Sequence, residues 1–173
     1  MSTTETRLWT EQGFQDDAWR RGEDASALEE AGKVILPLAV FSALDPALRE
    51  REMARIGVEV LPGETLDALL PSLARLPLVA LAFPAFNDGR SYSKAELLRT
   101  RHGYRGEIRA TGNVLIDQVA HMLRVGFSSL AIANPRTLAQ LEAGKEAGVP
   151  LYYQPAARAA AAPGSYAWRR IPA

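Results

Sequence analysis

From Lys33 onward, short apolar runs of strand length alternate with segments of helical spacing. Val34 to Phe41 is a near-continuous apolar run, with Pro37 marking a bulge or an edge. Asp45-Pro46 then opens a helix, Asp as N-cap and Pro at the first helical position, and Gly57 is its expected stop. Val58 to Leu61 reads as a short strand. Thr65 to Leu76 reads as a helical stretch that Pro71 kinks or divides. Leu78 to Phe83 is apolar on both faces, the mark of a central buried strand.

The second half continues the alternation. Ser93-x-x-Glu96 has the form of a capping box, for a helix ending at His102 before Gly103. Gly106 to Thr111 reads as a strand, and Asn113 as the cap of a helix from Val114 to Val125. Leu130 to Ala133 follows as a strand, Thr137 to Ala147 as a helix, and Val149 to Tyr153 as a last strand. The pattern predicts a single α/β domain with a mainly parallel sheet of about five or six strands flanked by helices. An open three-layer sandwich is the favoured arrangement, with a partial β/α barrel as the alternative. The division along the chain is an acidic extension over 1–32, the α/β domain over 33–154, and an Ala/Pro-rich connector and tail over 155–173.

Parallel sheets bind ligands where strands end and loops lead into helices. Two loops there carry candidate chemistry. The first contains Asp88, Arg90 and Tyr92. The second runs from Arg109 through Thr111 and Gly112 to Asn113. A glycine beside a helix N-terminus, a hydroxyl and two arginines are the components of an oxyanion site. Arg99, Arg101 and Asp117 are secondary candidates. The structural alternative stands beside this reading: Asp88 and Arg90 stabilise a tight turn, Arg99 and Arg101 are solvated helix residues, and Glu107 pairs with Arg109 on one face of a strand. Asp117, His121 and Arg124 share one side of a helix, as a salt-bridged row or as an oriented general base.

Composition removes more chemistry than it adds. The 173 residues contain no cysteine, which excludes a thiol nucleophile and a Cys-ligated cluster. With His102 and His121 the only imidazoles, a structural zinc site is not expected, and no metal site is assigned. No apolar run approaches the roughly 20 residues that span a bilayer, and the first ten residues lack a secretory pattern, so the expected location is the cytoplasm. Twenty basic residues balance twenty acidic ones, which argues against nucleic acid or an acidic membrane as partner. The balance is uneven along the chain, at −5 over the first thirty residues and +4 over 90–109. Glycine-rich dinucleotide or phosphate loops and the nucleophile-elbow motif are absent.

The stretch from Phe83 through Asp88-Gly-Arg90-Ser-Tyr92, Arg99-Thr-Arg101-His-Gly103, Gly106-Glu-Ile-Arg109-Ala-Thr-Gly112-Asn and Asp117-Gln118 resembles the bacterial family called domain of unknown function 934. Arg124-Val-Gly126-Phe127 and Tyr153-Gln154 extend the likeness over roughly residues 34–171. Members of that family are labelled oxidoreductases of sulfite reduction. Three positions depart from its pattern: Ser91 stands for a usual Gly, Asn113 for a usual Asp, and Val125 for a frequent Cys. The resemblance implies an accessory protein of assimilatory sulfite reduction acting with sulfite reductase, with a small oxyanion at the rim of the sheet. The alternative it leaves is an oxidoreductase or other enzyme of sulfur assimilation, using a bound flavin or nucleotide. The lack of any catalytic motif ranks the accessory role first.

Overall fold

A computed structural model describes residues 6–85 and 88–144. Eight strands form one mixed sheet: β1 (Arg7–Thr10), β2 (Gly13–Gln15), β3 (Trp19–Arg21), β4 (Lys33–Pro37), β5 (Ile56–Val60), β6 (Leu78–Phe83), β7 (Glu107–Gly112) and β8 (Ser129–Ile132). Five α-helices accompany them: α1 (Leu38–Ala43), α2 (Pro46–Glu52), α3 (Arg90–Thr100), α4 (Ile116–Val125) and α5 (Pro135–Glu142). None is long and apolar enough to cross a membrane.

The strand order is β2-β1-β8-β7-β6-β5-β4-β3. From β3 to β8 the strands are parallel and lie in chain order, and the antiparallel β1–β2 hairpin adds to β8. This order replaces the open three-layer sandwich. A sandwich requires the order to reverse, so that right-handed crossovers carry helices to both faces. Without a reversal the helices collect on one face, and the sheet curls into a half-barrel. Side chains record the same asymmetry. Val34, Leu36, Val58, Val79, Leu81, Phe83, Ile108 and Leu130 pack with the helices in one large core, whereas Ile35, Leu78 and Ala80 on the other face meet Trp19.

Eight strands replace the expected five or six because residues 7–21, within the acidic extension, supply three of them. Their strands are three or four residues long, and β1 and β3 carry arginines, so no apolar run announces them. The link of residues 16–18 joins β2 to β3, which lie at opposite edges of the sheet. Laid flat, eight strands would be about 34 Å wide at their usual spacing. Four residue steps from Gln15 to Trp19 span at most about 14 Å. The sheet therefore curls until the ends of β2 and β3 that the link joins come within about 14 Å of each other.

Local signals were met in part. Asp45 caps α2 as expected, its Oδ1 accepting from the N–H groups of Ala47 and Leu48 at 3.0 Å, with Pro46 in the first turn. Gly57 is not a helix stop but a buried position inside β5. The stretch after Thr65 yields only a 3-10 helix, Leu70–Arg75, with Pro71 at its start. Helix α3 begins at Arg90 after Gly89, so Ser93 lies within it instead of capping it. Asn113 does not cap α4: Leu115 holds the N-cap position, and Gln118 Oε1 accepts from its N–H at 3.1 Å. The expected strand at Val149–Tyr153 and the connector and tail lie outside the described residues.

Candidate functional site

The inner face of the half-barrel holds the buried polar residues of the strands, Glu59, Arg109, Thr111 and Ser129. In β6 the alternation sends Val79, Leu81 and Phe83 toward the helices and leaves Leu78, Ala80 and Ala82 on the inner face. Two small residues on this central strand leave room above it. Glu59 of β5 and Thr111 of β7 use that room: Thr111 Oγ1 donates to Glu59 Oε1 at 2.8 Å, with β6 between them. Glu59 Oε2 accepts from Arg21 at the end of β3.

Arg109 occupies the middle of β7, level with Ala80 on one side and Ser129 on the other. It is among the largest fully buried side chains, at 2% exposure. Its Nε donates to Glu107 Oε1 at 2.9 Å and its Nη1 to Asp17 Oδ2 at 2.8 Å. Ser129 donates to the same Glu107 oxygen. Asp17 belongs to the link between the sheet edges, so the chain crosses the inner face above Arg109 and closes it from water. The expected pairing of Glu107 with Arg109 is present, but β7 is a central strand, not an edge.

The remaining candidates stand elsewhere. Arg90 donates to both carboxylate oxygens of Asp88, from Nε at 2.9 Å and Nη2 at 2.6 Å. The guanidinium holds the Asp88 carboxyl at about 2, well below the usual carboxylate range. Ser91 donates to the Ala82 carbonyl at 2.7 Å from a helical backbone, which accounts for a non-glycine residue at that position. Gly112 has φ +90, and a Cβ there would meet the Phe83 carbonyl oxygen at 2.4 Å. Its glycine is a requirement of the β6–β7 crossing, where the Asn113 N–H donates to Phe83 O at 2.7 Å.

Tyr92 and Asp117 come together between α3 and α4. The Tyr92 ring packs 4.9 Å from Phe83 and 4.6 Å from His121, centroid to centroid. Burial pushes its phenol up to about 12, and the Asp117 carboxylate adds to the shift. His121 Nδ1 lies 2.7 Å from Arg124 Nη2, and burial followed by the Arg124 charge lowers its pKa. Arg99 is a structural cation. Its Nε donates to Gly126 O, and its Nη1 to Tyr104 O and Gly106 O, at 2.7 to 2.9 Å, tying the end of α4 to the approach to β7. A surface basin beside it, lined also by Gln12, Tyr104, Leu123 and Phe127, opens at the opposite end of the strands from the rim loops. Arg101 lies exposed at the end of α3.

The structure thus gathers Arg109 and Thr111 on the inner face with Asp17, Arg21, Glu59, Glu107 and Ser129, and keeps Asp88, Arg90, Tyr92 and Asp117 on the helical side. Glu59 carried a usable signal, being the charged residue inside the otherwise apolar Ile56–Val60. Asp17 carried none. Among the described residues no group of three or more His, Asp or Glu is placed to hold a metal ion.

These features define a half-barrel α/β protein with an ion-paired interior. The model of one family, described as bacterial protein of unknown function (DUF934), matches residues 57–163. The chain belongs to that family. No curated protein and no solved structure matches it.

Proposed function

We propose that this chain is an accessory protein of assimilatory sulfite reduction, which docks on sulfite reductase instead of turning over a substrate alone. The pathway rests on the family resemblance. The docking role rests on where the structure leaves its basic and apolar groups. Inside, Arg109 is engaged by the chain's own carboxylates. Outside, α3 presents Leu97, 41% exposed, one turn from the exposed Arg101 and one turn from Lys94. Lys94 Nζ donates to the carbonyl of Leu61 at 2.6 Å, and Leu61 is itself 49% exposed. Two exposed leucines bordered by cations suit an acidic protein surface; this patch on α3 is the observation that carries the reading.

The test is retention of sulfite reductase from the same organism on immobilised full-length chain. The wild type is expected to hold it at low salt, and Leu97→Asp combined with Arg101→Glu to release it. No retention by the wild type sinks the proposal.

A further inference from the structure

The guanidinium of Arg109 is buried and incompletely satisfied. Nε and Nη1 have aligned acceptors, but Nη2 is buried without a hydrogen-bond partner. Its 2.9 Å approach to Glu107 Oε1 is an ion-pair contact with the oxygen that Nε already uses, not an aligned bond. Buried donors of this kind are rare in folded proteins, and each calls for a physical cause.

The cause is the way Asp17 sits. Its Oδ2 accepts from Nη1 while its Oδ1 accepts from the backbone N–H of Trp19 at 3.0 Å. A single oxygen of Asp17 therefore serves the guanidinium, whereas a ligand with two oxygens engages Nη1 and Nη2 together. Asp17 belongs to the link of residues 16–18 and keeps 31% of its side chain exposed, whereas Arg109 keeps 2%. The carboxylate can move out to water. The guanidinium cannot.

The geometry points to Arg109 as the anchor of an anion-binding site inside the half-barrel, with Asp17 as its resident and displaceable occupant. The ligand class is a small oxyanion that presents two oxygens to Nη1 and Nη2 together: sulfate, phosphate or a carboxylate. Glu107 stays on Nε, oriented by Ser129, and exchanging one anion for another keeps the arginine paired. This site does not depend on the docking role of α3, which lies on the other side of the sheet.

Inorganic sulfate, with chloride at equal ionic strength as control, is the probe, and acetate and phosphate run in parallel separate planar from tetrahedral ligands. Asp17→Ala removes the intramolecular competitor and is expected to bind sulfate about tenfold more tightly than the wild type. A folded Asp17→Ala protein, checked by circular dichroism, that binds no more tightly overturns the site. The wild type supplies a second readout. Saturating sulfate is expected to accelerate hydrogen exchange of the Trp19 amide, because Asp17 no longer accepts from it, while chloride leaves it unchanged. Exchange unaltered by sulfate overturns the proposal even where the variant fails to fold.

Discussion

Thr111 and Glu59 meet across a strand that belongs to neither of them, and their 2.8 Å hydrogen bond is possible because Ala80 and Ala82 stand beneath it. Thr111→Val keeps the shape and removes the donor from a buried carboxylate. The expected loss is about 1–3 kcal/mol of unfolding free energy, with Thr111→Ser recovering part of it, measured by chemical denaturation. Equal stability of the valine and threonine proteins would show that Glu59 finds another donor.

Gly57 is the floor on which Trp19 lies. A Cβ at this position would stand 3.1 Å from Trp19 Cζ3 and 2.9 Å from Leu78 Cδ2. Gly57→Ala is expected to destabilise by about 1–3 kcal/mol through overpacking. In a double-mutant cycle with Trp19→Leu part of that loss is recovered, since the smaller side chain frees the space. Strict additivity would place the ring elsewhere.

At Gly112 the difficulty is backbone as well as space. With φ at +90 and Phe83 O at 2.4 Å from a built Cβ, Gly112→Ala combines strain with a clash against an immovable carbonyl. It is expected to lower the thermal midpoint more than Gly57→Ala does. The reverse order, read by calorimetry on the two variants, would mean that the β6–β7 crossing has slack.

Tyr92 links stability to alkaline pH. Its phenol titrates at about 12 in the folded chain against 10.0 for a free side chain, through burial first and Asp117 second. The unfolded chain therefore loses this proton first. The contribution is complete below pH 10 and declines as pH rises toward 12. Ultraviolet titration of the phenolates should show two late tyrosines, Tyr92 and the buried Tyr104, of which Tyr92 moves earlier in Asp117→Asn. A Tyr92 phenol unaffected by that change would leave burial as the whole cause.

Much of the scaffold was legible because β4 through β8 and α2 through α5 carry strong local patterns. Apolar runs marked β4, β5, β6 and β8, although the first ran on past Pro37 into what is α1, and Asp45-Pro46 marked a helix start that the structure reproduces. The order of strands was not legible, since hydrophobic periodicity reports which face is buried and says nothing about the neighbour on either side. The same limit hid β1–β3, whose short segments take their place by pairing with each other and with β8 and β4. Of the site, Arg109 and Thr111 were visible in the sequence, but their surroundings were not. Asp17 lies 92 residues from Arg109, and only the curl of the sheet unites them. Asn113 misled for a local reason: its backbone is committed to Phe83, and α4 starts at Ile116 instead of Val114.

The pairing of β1 with β8 sets Arg7 opposite Ile132. On the ribosome the first of these segments therefore emerges long before the second exists. Asp17 has no arginine beneath it until β7 is synthesised, and the β1–β2 hairpin has no sheet to join until β8 follows. The β1–β2 hairpin leaves the ribosome well before β8 and docks only after it, and the interior stays open to water until the edges of the sheet are both in place.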